Sequence, residues 1–143
     1  MSLGYQHQAY DDQRFGTVGE IGGKFALNWN PTRLTSVTGT FVHEYVEDIF
    51  GASPGYVHNQ YGVHVDHELR RDLLLSEDIS FDARSLLRLT RDIDIVRYEN
   101  RLQYQLSDGF SINAIYDFSH QSGTENTSSY DHNIFTLRME KQF

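Results

Sequence analysis

Cysteine is absent from the 143 residues, which excludes disulfides, thiolate chemistry and cysteine-ligated zinc. Proline occurs only twice, and both copies fall in stretches that read as connectors, where a missing N–H donor costs no ladder bond. Basic residues are also scarce: 12 Lys and Arg stand against 20 Asp and Glu, for a formal net charge of −8 and a pI near 5.2. Such a balance offers no basic face to a phosphate backbone, so nucleic acid is not expected as a partner. No apolar run approaches the ~20 residues of a transmembrane helix. That excludes helical spans alone, because membrane β-strands alternate lipid-facing and lumen-facing residues and average out to hydrophilic. The length suits one domain. Met1-Ser2-Leu3 has neither a positive n-region nor an apolar h-region, so it is no signal peptide; it reads as a cloning remnant ahead of a single domain over 4–143.

What the chain has in quantity is alternation. In 17–30, Ile21, Phe25, Leu27 and Trp29 share one parity, while Glu20, Lys24, Asn28 and Asn30 take the other. The same period of two, the signature of a strand, recurs in five further segments. Over 57–69, Val57, Tyr61, Val63, Val65 and Leu69 oppose His58, Gln60, His64, Asp66 and Glu68; over 73–85, Leu73, Leu75, Ile79, Phe81 and Ala83 oppose Ser76, Asp78, Ser80, Asp82 and Arg84. Glu77 breaks the apolar parity of its segment. Over 95–106, 110–119 and 130–143 the pattern continues, with Ile115 out of step, and 4–11 and 34–48 are noisier versions of it.

The connectors alternate too. Asn30 to Arg33, Arg70 to Asp72 and Ser107 to Gly109 are tight, as hairpin turns should be, and Pro31-Thr32 reads as the first of these turns. Between them fall residues 12–14, 50–54, 90–92 and 123–129, of which the second and last are longer and rich in Gly, Ser, Pro and Thr. Eight strands of roughly ten to fourteen residues exceed the ~5–6 common in soluble sheets and suit a tilted bilayer span. The fold expected is therefore all-β: an antiparallel up-and-down meander forming an eight-stranded transmembrane β-barrel. Trp29 and Phe110, beside tight turns, and the terminal Phe143 are candidate membrane-interface aromatics.

GYQHQAYDD near the start, LNWNPTRLTSVT, VHVDHELRRDLLLSEDISF, the run from Arg91 into QYQLSDGFSINAIYDFS, and the terminal NIFTLRMEKQF together resemble an outer-membrane β-barrel porin family associated with exopolysaccharide or capsule systems. The resemblance implies a bacterial outer-membrane location, contact with outer-membrane lipid and the barrel assembly machinery, and polysaccharide or small solutes as passengers. It implies longer chains as well, so this one is expected to be a C-terminal portion of a larger barrel. Phe143 is similar to the terminal aromatic that assembly machinery reads, although Lys141 stands where an apolar residue is expected.

Charge gathers on the polar parity: Glu20, Lys24, Glu44, Glu68, Asp78, Asp82, Arg84, Arg97, Glu99, Arg101, Asp117, Arg138 and Glu140. In a narrow eight-stranded barrel these groups would fill the lumen as an ion network and leave little steady conductance. In a wide one they would line water and tune selectivity. A register pairing Arg84 with Glu99 and Asp82 with Arg101 is expected, since it sets opposite charges together. His64-Val65-Asp66-His67 looks like a metal motif, but parity sends the two histidines to opposite faces, so ordinary polar lining is the reading and neither metal nor cofactor is expected. No nucleophile, zincin or phosphate-loop spacing occurs, and no carboxylate pair is set apart by its environment, so no catalytic residue or enzyme activity is expected. The alternative is a soluble, lipocalin-like binding barrel, which would need its apolar parity turned inward.

Overall fold

The computed structural model describes residues 1–9, 17–47, 55–87, 92–107, 109–124 and 129–141, and among them no helix forms. The strands follow in chain order: β1 (Ser2–Ala9), β2 (Thr17–Thr32), β3 (Thr35–Glu47), β4 (Gly55–Arg70), β5 (Leu73–Leu86), β6 (Asp92–Ser107), β7 (Phe110–Gly123) and β8 (Tyr130–Lys141). Each pairs antiparallel with its sequence neighbour in one eight-stranded sheet, the meander expected from the alternation. Among the described residues β1 and β8 are its two edges, and the sheet does not close on itself. Ser2 and Leu3, set aside above as a remnant, sit opposite Lys24 and Gly23 in the β1–β2 ladder.

Three tight turns lie at one end of the sheet and are built alike. The β2–β3 turn is Arg33-Leu34, closed by Thr32 opposite Thr35, rather than Pro31-Thr32. Pro31 instead falls in the register shift between Trp29 and Thr32, where its missing donor leaves no gap in a regular ladder. Matching shifts precede the other two turns, between Glu68 and Arg70 and between Gln105 and Ser107. Gly109 completes the third turn at a φ of 78°, a left-handed conformation that a Cβ would strain. Each of the first two turns is tied to the next strand: Glu68 N–H donates to the Leu34 carbonyl and Gln105 N–H to that of Asp72, both at 2.8 Å. Residues 10–16, 48–54, 88–91 and 125–128 fall outside the described residues, as do Asp108, Gln142 and Phe143, so the interface role expected of Phe143 lies outside them too.

The β5–β6 register is not the charge-matched one. Arg84 faces Ile93 and Asp82 faces Ile95, while Glu99 faces Asp78 and Arg101 faces Ser76. Sliding β6 until Arg84 met Glu99 would strip residues 92–96 of their β5 partners. Each lost ladder bond is worth about as much as the fraction of a kcal/mol at stake in a cross-strand charge pair, and several would go at once. The guanidiniums are neutralised along their own strands instead: Arg84 to Asp82 and Arg101 to Glu99, both at 2.7 Å.

Candidate functional site

The two faces of the sheet divide the chemistry. Directly opposed residues point the same way, so each row of the ladder belongs to one face. On the apolar face one row runs Phe25, Phe41, Tyr61, Phe81, with Tyr61 ring-packed between Phe41 at 5.0 Å and Phe81 at 6.4 Å. The next row toward the turns runs Leu27, Gly39, Val63, Ile79, Tyr98 and Phe118. Trp29 lies in the row below that, opposite Val37, and Phe110 opposite Lys141 at the turn end. Above the aromatic row the same face turns polar, with His43, Asn59 and Asp94, and His43 bonded to Asn59 at 2.6 Å. The outcome is an apolar belt that stops short of the strand ends opposite the tight turns. Along β5 it runs from Leu73 to Phe81, which at a rise of ~3.3 Å per residue and a tilt of ~40° stands roughly 20 Å tall, near the ~25 Å of a lipid-facing band.

This belt is open to its surroundings. Ile21, Leu27 and Phe135 are 60%, 61% and 81% exposed. Among the described residues the enclosed side chains lie on the charged face, apart from Tyr45 near the end of β3: Asp82, Ile95, Ser111, Asn113 and Ile115. The charged face is therefore the concave one, and Ile115, out of step in the sequence, is in step as an enclosed residue opposite Arg101.

Two clusters organise the concave face. Asp82, 2% exposed, receives Arg84 through Nε at 3.1 Å and Nη2 at 2.7 Å, lies 3.6 Å from Arg97 Nη1, and has Oδ1 at 2.9 Å from His58 Nε2. His58 continues the chain to Glu44 at 3.6 Å, and Glu44 to Lys24 at 3.0 Å. In the second cluster His64 bridges Asp66 at 3.0 Å and Asp78 at 2.9 Å. From Asp78 a row of carboxylates crosses three strands, Asp78 opposite Glu99 and Glu99 opposite Asp117, with Arg101 on Glu99. A hollow of about 460 Å³ lies against this row, edged by Ser80, Arg97, Ser119 and His132.

The charged residues anticipated from sequence thus divide. Lys24, Glu44, Asp82, Arg84 and Arg97 join the first cluster; Asp78, Glu99, Arg101 and Asp117 meet at the second; Arg138 pairs with Glu140 at 3.6 Å on β8. Glu20 lies beyond the last β2–β3 pair and reaches His43 at 3.3 Å, while Glu68 makes no ion pair with a described residue. Ion pairs between described residues join the same or neighbouring strands, and Lys24, Asp78 and Arg138 remain more than half exposed. Among the described residues the sheet is open between β1 and β8, and these groups line its concave face.

His58, His43 and His64 were missed as partners. For His58 only the register brings the histidine diagonally across to its acid, Asp82. His67 points away from His64, as its parity required, and bonds Thr35 at 2.9 Å. Among the described residues no group of three or more His, Asp or Glu side chains converges as metal ligands.

An antiparallel meander with a bared apolar belt on its convex side and ion-paired charge on its concave side defines a membrane β-barrel wall. The chain belongs to the family described as putative beta-barrel porin 2, whose model matches residues 1–143. No curated protein and no solved structure matches it.

Proposed function

We propose that the protein acts in the bacterial outer membrane as porin-like barrel wall, passing small polar solutes along its charged face and catalysing no reaction. The observation that carries this reading is the exposure of the belt: Leu27, Val63, Ile79 and Leu137 lie bare on the convex face, where water would penalise them and lipid would not. A lipocalin-like barrel would have those side chains lining its interior. The exposed ion pairs and hydroxyls of the concave face are chemistry suited to water and to hydroxyl-rich solutes, which is where a polysaccharide passenger would fit. Outer-membrane lipid and the assembly machinery are the partners this reading requires.

The absence of cysteine makes the test direct. In reconstituted vesicles, Leu27→Cys should react with a lipid-soluble maleimide and resist a water-soluble one, while Glu99→Cys should react with the water-soluble reagent. The opposite labelling would remove the membrane reading. Planar-bilayer recording then asks for passage: a correctly inserted protein that never conducts would make it a structural barrel and not a porin.

A further inference from the structure

Glu77 stands halfway along the belt of β5, between Leu75 and Ile79 and opposite Val65, where a lipid-facing barrel should carry an aliphatic side chain. It is not alone. Asn100 lies directly opposite on β6 and donates Nδ2–H to Glu77 Oε1 at 3.2 Å, and the Tyr98 hydroxyl donates to the same oxygen at 3.3 Å. Both bonds fall on one carboxylate oxygen, so Oε2 keeps its lone pairs, and the Asn100 amide keeps a second N–H. A carboxyl group facing hydrocarbon with one of its oxygens unpaired is costly, and such residues in membrane proteins face protein or water.

The patch is self-complementary. A two-fold axis along the membrane normal, passing in front of the seam between β5 and β6, sets β5 of one copy against β6 of the other at the same height. Residue i then meets j and j meets i, as an isologous contact requires. Glu77 Oε2 of each copy would face the spare Asn100 N–H of its partner, ringed by Ile79, Leu102 and Val63, which are all exposed. Polar groups that hydrogen-bond across an apolar interface hold membrane segments together.

We propose that the convex faces of β5 and β6 form a homodimer contact in the membrane, centred on Glu77 and Asn100. This rests on the membrane reading above. Cross-linking in lipid vesicles tests it: Ile79→Cys should give a dimer with a short bis-maleimide, and Leu27→Cys, on β2, should not. Adding Glu77→Leu should cut the Ile79→Cys dimer about tenfold or more, and Glu77→Gln, which keeps the shape, should cut it less. Both changes remove a carboxyl group from the belt, so folding should survive them, and circular dichroism checks that it does. Monomeric Ile79→Cys, or a dimer indifferent to Glu77→Leu, overturns the proposal. If the protected residue Leu27→Cys stays closed to water-soluble maleimide in that same experiment, the membrane reading survives the loss; if it labels freely, both fall.

Discussion

Asp82 shows what a single side chain does on the concave face. Its carboxylate is enclosed while the cations around it, Arg84 and Arg97, are partly open to solvent, so it positions them more than they position it. Ile95, directly opposite and also enclosed, keeps water from the carboxylate. Asp82→Asn should cost about 2–3 kcal/mol in urea unfolding from lipid vesicles, the worth of hydrogen bonds to a charged group. Asp117→Asn, whose carboxylate makes no ion pair with a described residue, should stay within about 0.5 kcal/mol. At the turn end Arg70 grips Asp72 through Nε at 3.1 Å and Nη2 at 2.8 Å, and this bond holds the Asp72 carboxyl below the usual carboxylate range. Since the folded value is the lower one, the contact contributes in full above the unfolded value of about 3.9 and is lost as pH falls through the folded value. An NMR titration of the Asp72 carboxyl carbon should therefore give a midpoint below about 3.9, and Arg70→Gln should bring it back up.

The strands were legible because period-two alternation is a property of neighbouring residues and survives any register. Residues 17–30 and 73–85 became β2 and β5 almost to the residue for that reason. Ends were less legible: β7 runs on to Gly123 past the expected 119, because His120, Gln121 and Ser122 find partners in Val96, Ile95 and Asp94 that no local pattern reveals. Alternation also makes the faces unequal in a measurable way. Leu27 points into the belt and its neighbour Asn28 to the concave face, where it donates to Thr38 at 2.9 Å. Leu27→Arg should lose about 2–4 kcal/mol of stability when unfolding is measured from a bilayer, whereas Asn28→Arg should lose well under half of that. Equal losses at the two positions would mean that the convex face does not meet hydrocarbon.

Across the whole sheet, the belt and the carboxylate row decide how the molecule meets lipid and solute. The belt slants across the ladder rows: polar residues take over at His43 and Asn59 on β3 and β4, and nearer the turns at His120 and Asn133 on β7 and β8. Strands that tilt against a flat bilayer require that slant. On the other side, Asp78, Glu99 and Asp117 stand side by side, and among the described residues Arg101 is the one guanidinium bonded to the row, an excess of acid that would favour cations over anions along this face. In a conducting preparation, replacing all three by their amides should lower the cation-to-anion permeability ratio, read as a shift of reversal potential across a salt gradient. An unchanged ratio would place the path of ions elsewhere.

The sequence by itself determined the strand-by-strand alternation, the tight turns at one end and the division into an apolar and a charged parity, because each depends on residues within a few positions of one another. Its family likeness pointed to a barrel wall on the same local features. Only the tertiary structure decided which charges meet. The Asp82 cluster, the His64 bridge and the Glu77–Asn100 pair all join residues from different strands or depend on how far one strand has slid along the next. That slide is set by the summed backbone ladder and the turn geometry, against which the charge of any one pair is too weak a term to read forward from sequence.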